Sequence, residues 1–479
     1  MLQTSPAWGA ALIRIQAPQC RTQFCRLGVF RVTALCSNPV RTLSGDISVP
    51  GDKSISHRAL MIGAVAVGKT TIRGLLEGDD VLRTATALNA MGVQIDRATE
   101  GEWCIHGRGV GGLTQPDDVL DLGNSGTGAR LLMGLVSTHP ITTHFTGDAS
   151  LRQRPMARIA EPVEKMGAQI IARDGGRMPL VVIGAPAPQP ITYQLPVPSA
   201  QIKSAVLLAG LNTPGRTSVI ELRPSRDHTE LMLRHFGADM DVTDTETATG
   251  GTNRIITLQG EPELEARDVT VPGDPSSAAF VAIAALITDG SDITIRNVGL
   301  NPLRSGIFQS LAEMGAEIAF SNRREQAGEP TADLTVRSSA LKGITVPRER
   351  APSMIDEYPI LAIAAAAATG SSRLQGLEEL RVKESDRLGA IADGLSQSGV
   401  PVEIEGDNLI IHGTGRSIPG DAIIEARMDH RIAMSFLVMG MAARKSIAVD
   451  DTTHIGTSFP GFNELMTGLG AKFTVPNGA

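Results

Sequence analysis

About every 75 residues, six times over, the chain repeats one pattern, and a repeat of that length settles architecture before any single motif does. A short β-type run ends in a small polar turn. An apolar, Ala/Leu-rich helical stretch follows, then Gly and a second short strand. The turns are Val49-Pro50-Gly51-Asp52-Lys53-Ser54, Leu122-Gly123-Asn124-Ser125-Gly126-Thr127, Val197-Pro198-Ser199-Ala200-Gln201-Ile202, Val271-Pro272-Gly273-Asp274-Pro275-Ser276, Ala351-Pro352-Ser353-Met354-Ile355-Asp356 and Ala426-Arg427-Met428-Asp429-His430-Arg431. At this period each unit is a packed α/β module, not a solenoid turn.

In the first unit Asp46-Ile47-Ser48-Val49 reads as a strand and Pro50-Gly51 as its turn. Ser54 or Ser56 is expected to cap a helix over about residues 57–67, which Gly68 ends. Second helices are predicted over residues 84–91, 157–166, 230–236 and 311–314. Gly92, Gly167, Gly237 and Gly315 follow them, the residue type that most often stands just past a helix end. Each unit therefore reads β-α-β-α-β-β, and three units make a natural domain. A length of 479 residues fits two such domains better than one core.

Apolar content of 42% and charged content of 20% describe a soluble globular chain. The uncharged apolar run at residues 360–369 falls well short of the ~18 residues that span a bilayer. A net charge of -7 and 3% aromatics argue against a nucleic-acid footprint, so a small molecule is the expected partner. Four cysteines occur without a C-x-x-C pair or a His/Cys cluster. Neither a disulfide framework nor a zinc site is suggested, and a reducing, cytoplasmic setting is expected. Arg14, Arg21, Arg26, Arg31 and Arg41 precede the first acidic residue, Asp46, as in an organellar transit peptide. The stretch lacks the Ser richness and clean amphipathic period of one. Residues 1–37 are read instead as a disordered N-terminal extension, or a start placed too far upstream, outside the fold.

One motif is a decoy. Gly63-Ala64-Val65-Ala66-Val67-Gly68-Lys69-Thr70 matches the nucleotide-binding P-loop letter for letter. A P-loop needs a strand before the string and a helix after it. Here a helix end runs into a strand, and the equivalent Thr288-Asp289-Gly290-Ser291 and Thr369-Gly370-Ser371 are plain helix terminators.

The chemical residues gather at the turns. Lys53 and Ser54 stand with His57 and Arg58 at a helix start; Arg152, Arg154 and Arg158 form a trio; Ser199, Ala200 and Gln201 join Ser225, Arg226 and Asp227. Asp356-Glu357 and Asp429-His430-Arg431 occupy two further turns, and Arg381-Val382-Lys383-Glu384-Ser385-Asp386-Arg387 is expected to place Glu384 and Arg387 on one helix face. Taken singly, each is explained by a solvated helix start or surface ion pairs. Most of them share one slot of the repeat, which random surface charge would not respect. Helix N-termini converging on one cleft make an anion-binding surface. Several cations and two carboxylates, without a metal-ligand set, point to two phosphate- or carboxylate-bearing substrates and metal-free acid–base chemistry.

Pro50-Gly51-Asp52-Lys53-Ser54-Ile55-Ser56-His57-Arg58, Gly123-Asn124-Ser125-Gly126-Thr127, the 381–387 string and Asp429-His430-Arg431 together resemble the 5-enolpyruvylshikimate-3-phosphate synthase family. The likeness runs over about residues 38–473, and residues 351–363 with Phe459-Pro460 look like its bacterial class II branch. The resemblance implies a two-domain inside-out α/β barrel, three β-α-β-α-β-β units per domain. One domain would be residues 52–270 and the other 38–51 plus 271–479, with crossings near Pro50-Gly51-Asp52 and Pro272-Gly273-Asp274 and a cleft between. It implies transfer of the enolpyruvyl group of phosphoenolpyruvate to the 5-hydroxyl of shikimate 3-phosphate, in aromatic amino acid biosynthesis, by a monomer without cofactor or metal.

Carried over by motif, Lys53, Ser54, Arg58, Ser199, Ala200, Gln201, Arg226, Asp356 and Lys383 would contact shikimate 3-phosphate. Lys53, Gly126, Arg154, Gln201, Arg387 and Arg431 would contact phosphoenolpyruvate. Asp356 resembles the general base at the 5-hydroxyl, Glu384 the group exchanging a proton with the methylene carbon, and Lys53 is a third catalytic group. Two positions depart from many members: Thr457-Ser458 stand where a Lys is common, and Glu379 where an Asn lies near the shikimate ring. Gly126, which is Ala in some tolerant members, implies inhibition by glyphosate. The sister family acting on UDP-N-acetylglucosamine usually carries a Cys on a mobile loop, and none occurs near residues 152–158. A non-catalytic relative would be expected to lack Asp356, Glu384 or Lys53, and all three are present.

Overall fold

The computed structural model describes residues 34–246 and 252–476. Its strands form six four-stranded sheets on one plan. A short leading strand pairs in parallel with the strand after the unit's first helix, and two more complete the sheet antiparallel. In unit two these are Leu120–Asp121, Thr142–Thr146, Arg177–Ile183 and Gln169–Arg173, in spatial order.

The leading strands of units one and four are exchanged. Ser44–Ser48, just ahead of the first turn, pairs with Asp292–Gly299 of unit four. Val269–Thr270, just ahead of the fourth turn, pairs with Val67–Arg73 of unit one. The two crossings lie against each other: Asp52 N–H donates to the Pro272 carbonyl (2.8 Å) and Asp274 N–H to the Pro50 carbonyl (2.9 Å). A Cβ at Gly51 would stand 2.0 Å from the Gly74 carbonyl oxygen, so only glycine fits this crossing.

Unit six needs a fourth strand, and the N-terminus supplies it. Leu35–Asn38 lies antiparallel between Ile447–Val449 and Lys472–Thr474. The extension assigned to residues 1–37 is therefore too long: Cys36 and Ser37 are buried in a sheet. Residues 1–33 of that expectation lie outside the described residues.

Six apolar helices form the centres of two bodies. Lys53–Ala64, Gly126–Val136 and Ala200–Leu211 belong to one, and Pro275–Ile287, Tyr358–Ala367 and His430–Ala442 to the other. Pro275–Ile287 and Tyr358–Ala367 are buried at every residue, which is why they are apolar all round instead of striped. The sheets wrap them and alternate in burial, as Arg177–Ile183 does, with the apolar side inward. This is an inside-out α/β barrel, helices within and sheets without. The buried apolar side chains divide into two clusters, one from residues 55–271 and one from 43–49 with 278–471.

The first helix begins at Lys53, four residues earlier than expected. Asp52, not Ser54 or Ser56, caps it by accepting from Ile55 N–H at 2.9 Å. Ser56 is turned inward and accepts from Leu76 N–H. The P-loop-like string runs from the end of this helix into strand Val67–Arg73, the reverse of the strand-to-helix polarity a P-loop requires. Three of the second helices also begin earlier than predicted (Asp79–Ala90, His228–His235, Gly306–Glu313) and Ala157–Lys165 begins where expected, while Gly92, Gly167, Gly237 and Gly315 all take positive φ behind them. No helix among the described residues is long and apolar enough to cross a membrane.

Candidate active site

The N-termini of the central helices carry most of the polar side chains that meet between the bodies. In five of the six units the residue before the central helix caps it: Asp52, Ser125, Ser199, Asp274 and Asp429 each accept a backbone N–H from the first turn. This fixes the entry angle of the chain and sets the next one or two side chains at the helix mouth. Lys53, Gly126, Ala200–Gln201 and Arg431 all stand there.

On the first body, Lys53 Nζ is 2.5 Å from Asp80, in the first turn of helix Asp79–Ala90. Asp80 was not anticipated. Arg58, one turn beyond Ser54, is buried, and its guanidinium is satisfied internally. It donates to Thr229 Oγ1 (2.7 Å), Ser204 Oγ (2.6 Å) and the Ser54 carbonyl (2.8 Å). Burial lowers its pKa to about 10. The structure thus makes Arg58 a brace for the helix start.

Arg154 is held by Asn124 Oδ1 (2.6 Å) and Ser150 Oγ (3.1 Å) and faces the start of helix Gly126–Val136. Its trio partners diverge: Arg152 binds the Asp148 carbonyl and Arg158 stands 3.9 Å from Glu379. Arg130, one turn after Gly126, also escaped sequence reasoning. It donates to Gln201 Oε1 (2.9 Å), and Gln201 Nε2 donates to Thr127 Oγ1 (3.0 Å). Burial, then the nearby Arg154 and Arg158, lower the Arg130 pKa to about 10, the mark of crowded cations that favour an anion.

Across the cleft, Asp356 lies in the 3-10 turn Ile355–Glu357. Its Oδ2 accepts from Arg226 of the first body at 2.9 Å, and its Oδ1 is 3.2 Å from Arg387 and 3.4 Å from Lys383. Burial alone would raise its pKa, but Lys383, Arg431, Arg226 and Arg387 outweigh it and hold the carboxyl well below the usual range. Glu384 is 2.5 Å from Arg387. It is likewise held down, against burial, by Arg387, Arg154 and Lys383. The expected i, i+3 helix face is not the reason for this pair. Residues Glu378–Val382 form a 3-10 turn and the helix starts only at Arg387, capped by Asp386, so Glu384 reaches Arg387 from the preceding loop.

Arg387 is 1% exposed and also bonds Asp429 (2.8 Å). Arg431 donates to the Asp356 carbonyl at 2.9 Å. His430 is buried and kept neutral, its pKa pulled well below 6.5 by burial and by Arg431. The Thr457 carbonyl packs at Gly78, where helix Asp79–Ala90 begins, so the loop lacking the common Lys still closes on the first body. Among the described residues no group of His, Cys, Asp and Glu could hold a metal ion. The cleft gathers buried and half-buried cations around two carboxylates, Asp356 and Glu384, whose pKa values they hold down.

Residues 37–466 match the family model of EPSP synthase (3-phosphoshikimate 1-carboxyvinyltransferase). The chain is 62% identical to 3-phosphoshikimate 1-carboxyvinyltransferase of Paramagnetospirillum magneticum over 92% of its own length and 98% of that relative's. The counterpart from Cereibacter sphaeroides is 57% identical over 92% and 97%. The solved structure of EPSP synthase from Acinetobacter baumannii superposes with a TM-score of 0.82 at 44% identity, covering 93% of this chain and all of that one.

Proposed function

The chain belongs to the EPSP synthase family, and we propose that it works with Asp356 as base at the 5-hydroxyl of shikimate 3-phosphate and Glu384 as proton carrier at the methylene carbon of phosphoenolpyruvate. The reaction is enolpyruvyl transfer: phosphoenolpyruvate gives its enolpyruvyl group to that hydroxyl and phosphate leaves. One observation carries the assignment of roles. The two carboxylates share Arg387, and each is also surrounded by cations that anionic substrates would recruit.

In the addition step the 5-hydroxyl oxygen bonds to C2 of phosphoenolpyruvate while its proton passes to Asp356, and C3 takes a proton from Glu384. In the elimination step C3 returns a proton to Glu384, the C2–O bond to phosphate breaks, and phosphate departs. Asp356 supplies the departing phosphate with the proton it took. Arg154, Arg387, Arg431 and Lys53 neutralise the phosphate and carboxylate of phosphoenolpyruvate, with Gly126 and Gln201 completing that subsite. Ser54, Ser199, Ala200, Gln201, Arg226 and Lys383 hold shikimate 3-phosphate, with Lys53 shared and Arg58 bracing from beneath. Such fixed charge, aimed where charge develops, is usually the largest catalytic contribution. Substrate anions draw Arg387 and Arg226 away from the carboxylates, so both regain proton affinity only when the cleft is filled.

The two apolar clusters support a division into residues 52–270 and 38–51 plus 271–479, closing on the cleft. Both subsites are built from one chain, which favours a monomer. Cys104, in no disulfide, fits the reducing cytoplasm. The test is phosphate release from phosphoenolpyruvate without added metal, with proton exchange into the methylene group read in deuterated water. Release is expected with shikimate 3-phosphate and not with UDP-N-acetylglucosamine. Asp356→Asn should slow it by about 100-fold or more, and Glu384→Gln should in addition suppress methylene exchange. Normal turnover in either variant would remove that residue from its role.

A further inference from the structure

Unit five breaks the capping rule of the other five. Glu357 occupies the slot before helix Tyr358–Ala367, yet its side chain accepts nothing from that helix. The carboxylate is 0% exposed and turned into the second body. There it accepts from Arg304 Nη1 at 2.7 Å, from Ser276 Oγ, and more distantly from Arg431 Nη1 at 3.4 Å. Ser276 Oγ in turn accepts from Arg304 and lies 3.3 Å from Arg431 Nη2. Arg304 and Ser276 are themselves 4% and 2% exposed. Burial would lower the Arg304 pKa, but Glu357, Asp274 and Asp52 raise it, so Arg304 keeps its charge.

A fully buried ion pair is a weak stabiliser, since desolvation offsets most of its attraction. Its position says more than its energy. Arg304 and Ser276 come from unit four, Glu357 from unit five and Arg431 from unit six. Glu357 also follows Asp356 directly, and Arg431 Nη1 bonds the Asp356 carbonyl. The buried carboxylate therefore holds the guanidinium of a candidate substrate-binding group, and that guanidinium in turn bonds the backbone of a candidate catalytic one.

We propose that Glu357, clamped by Arg304 and Ser276, is a positioning residue that aims Arg431 at phosphoenolpyruvate. The assignment rests on the reading of Arg431 given above. Replacing the carboxylate by an amide leaves size and packing but turns an N–H edge toward one of two cations, so Arg431 loses its fixed direction. Asp356 stays gripped by Arg226, Lys383 and Arg387 through its own carboxylate. The shikimate 3-phosphate subsite should therefore change little.

The experiment compares KM for the two substrates in Glu357→Gln, Ser276→Ala and Arg431→Lys, with thermal unfolding alongside. Glu357→Gln should raise KM for phosphoenolpyruvate about tenfold and KM for shikimate 3-phosphate less than about twofold. Ser276→Ala should show the same asymmetry at smaller size, and it serves alone if Glu357→Gln does not fold. Equal rises in both KM values, or a lowered unfolding midpoint with both KM values unchanged, would overturn the positioning role. Arg431→Lys separates the two layers. If it raises KM for phosphoenolpyruvate and neither other variant does, only the positioning role falls. If it leaves that KM unchanged, the reading of Arg431 itself falls.

Discussion

At Gly126 an added Cβ would lie 3.0 Å from Arg154 Nη1 and 3.2 Å from Arg130 Nη1, closer than side chains normally tolerate. Both contacts are ends of flexible side chains, so the guanidinium groups would yield by a few tenths of an ångström instead of unfolding the helix. Arg154 is also one of the cations proposed to line the phosphoenolpyruvate subsite, and Arg130 holds Gln201 of the same subsite. Gly126→Ala should therefore keep its thermal midpoint but raise KM for phosphoenolpyruvate by roughly threefold, the cost of slightly displaced charge-assisted hydrogen bonds. Glyphosate, which the methyl group would crowd more than the substrate, should lose inhibition by a distinctly larger factor. Inhibition constants and KM from the same preparations decide it. A wild-type enzyme indifferent to millimolar glyphosate, or equal factors for both molecules, would show that Gly126 does not set the width of this site.

The turn that leads into helix His430–Ala442 is strained. Arg427 and Met428 take φ of 54° and 58°, the left-handed region that costs a non-glycine residue about 1–2 kcal/mol. Arg427 is tied to Asp393 (2.7 Å), whereas Met428 is 51% exposed. Met428→Gly should relieve the strain while giving back part of it to chain entropy, for a net gain of roughly 0.5–1 kcal/mol. A rise in urea midpoint with unchanged slope would bear this out, and a fall would mean that Met428 packs on something the strain argument ignores. The turn is also a measure of what the sequence alone allows. Its place in the repeat was legible, as were Gly92 and Gly315 behind their helices, because caps and helix ends depend on neighbouring residues. Its strain was not, since neither Arg427 nor Met428 carries a turn signature. The helix start before Arg387 was misjudged because residues 381–387 carry helix-like charge spacing while Asp386 holds the real cap. Asp80 and Arg130 were missed as site residues, and Glu357 was grouped with Asp356 without a role, because only folding shows which charges face inward. The N-terminal strand Leu35–Asn38 was missed because its pairing is with residues more than four hundred positions away.

At the scale of the whole molecule, two sets of contacts stand out among those that join the bodies. One is a run of three residues from the first body: Arg226 binds Asp356 (2.9 Å), Asp227 accepts from Asn301 (2.7 Å) and His228 meets Glu329 (2.6 Å). The other is the double crossing, where Asp52 and Asp274 cap their helices side by side. Burial, then the like charge of Asp52, raise the Asp274 pKa to about 6, while Asp52 stays depressed against its own burial. An unfolded Asp titrates near 4. Between about pH 4 and 6 the native chain therefore holds a proton at Asp274 that the unfolded chain has lost. Stability from this group is complete below about pH 4 and declines as pH rises through 6. Buried neutral His57 and His430 act oppositely, since their depressed pKa values make acid destabilising. The wild-type pH profile is the sum of the two trends, and Asp274→Asn separates them. Asn keeps an oxygen to cap Ser276 N–H but cannot ionise beside Asp52. The variant's melting temperature should therefore gain on the wild type's from about pH 4 to pH 6 and level off above about pH 7. A constant offset across that range would mean that the crossing holds no proton and that Asp274 is ionised at every pH where the enzyme is folded.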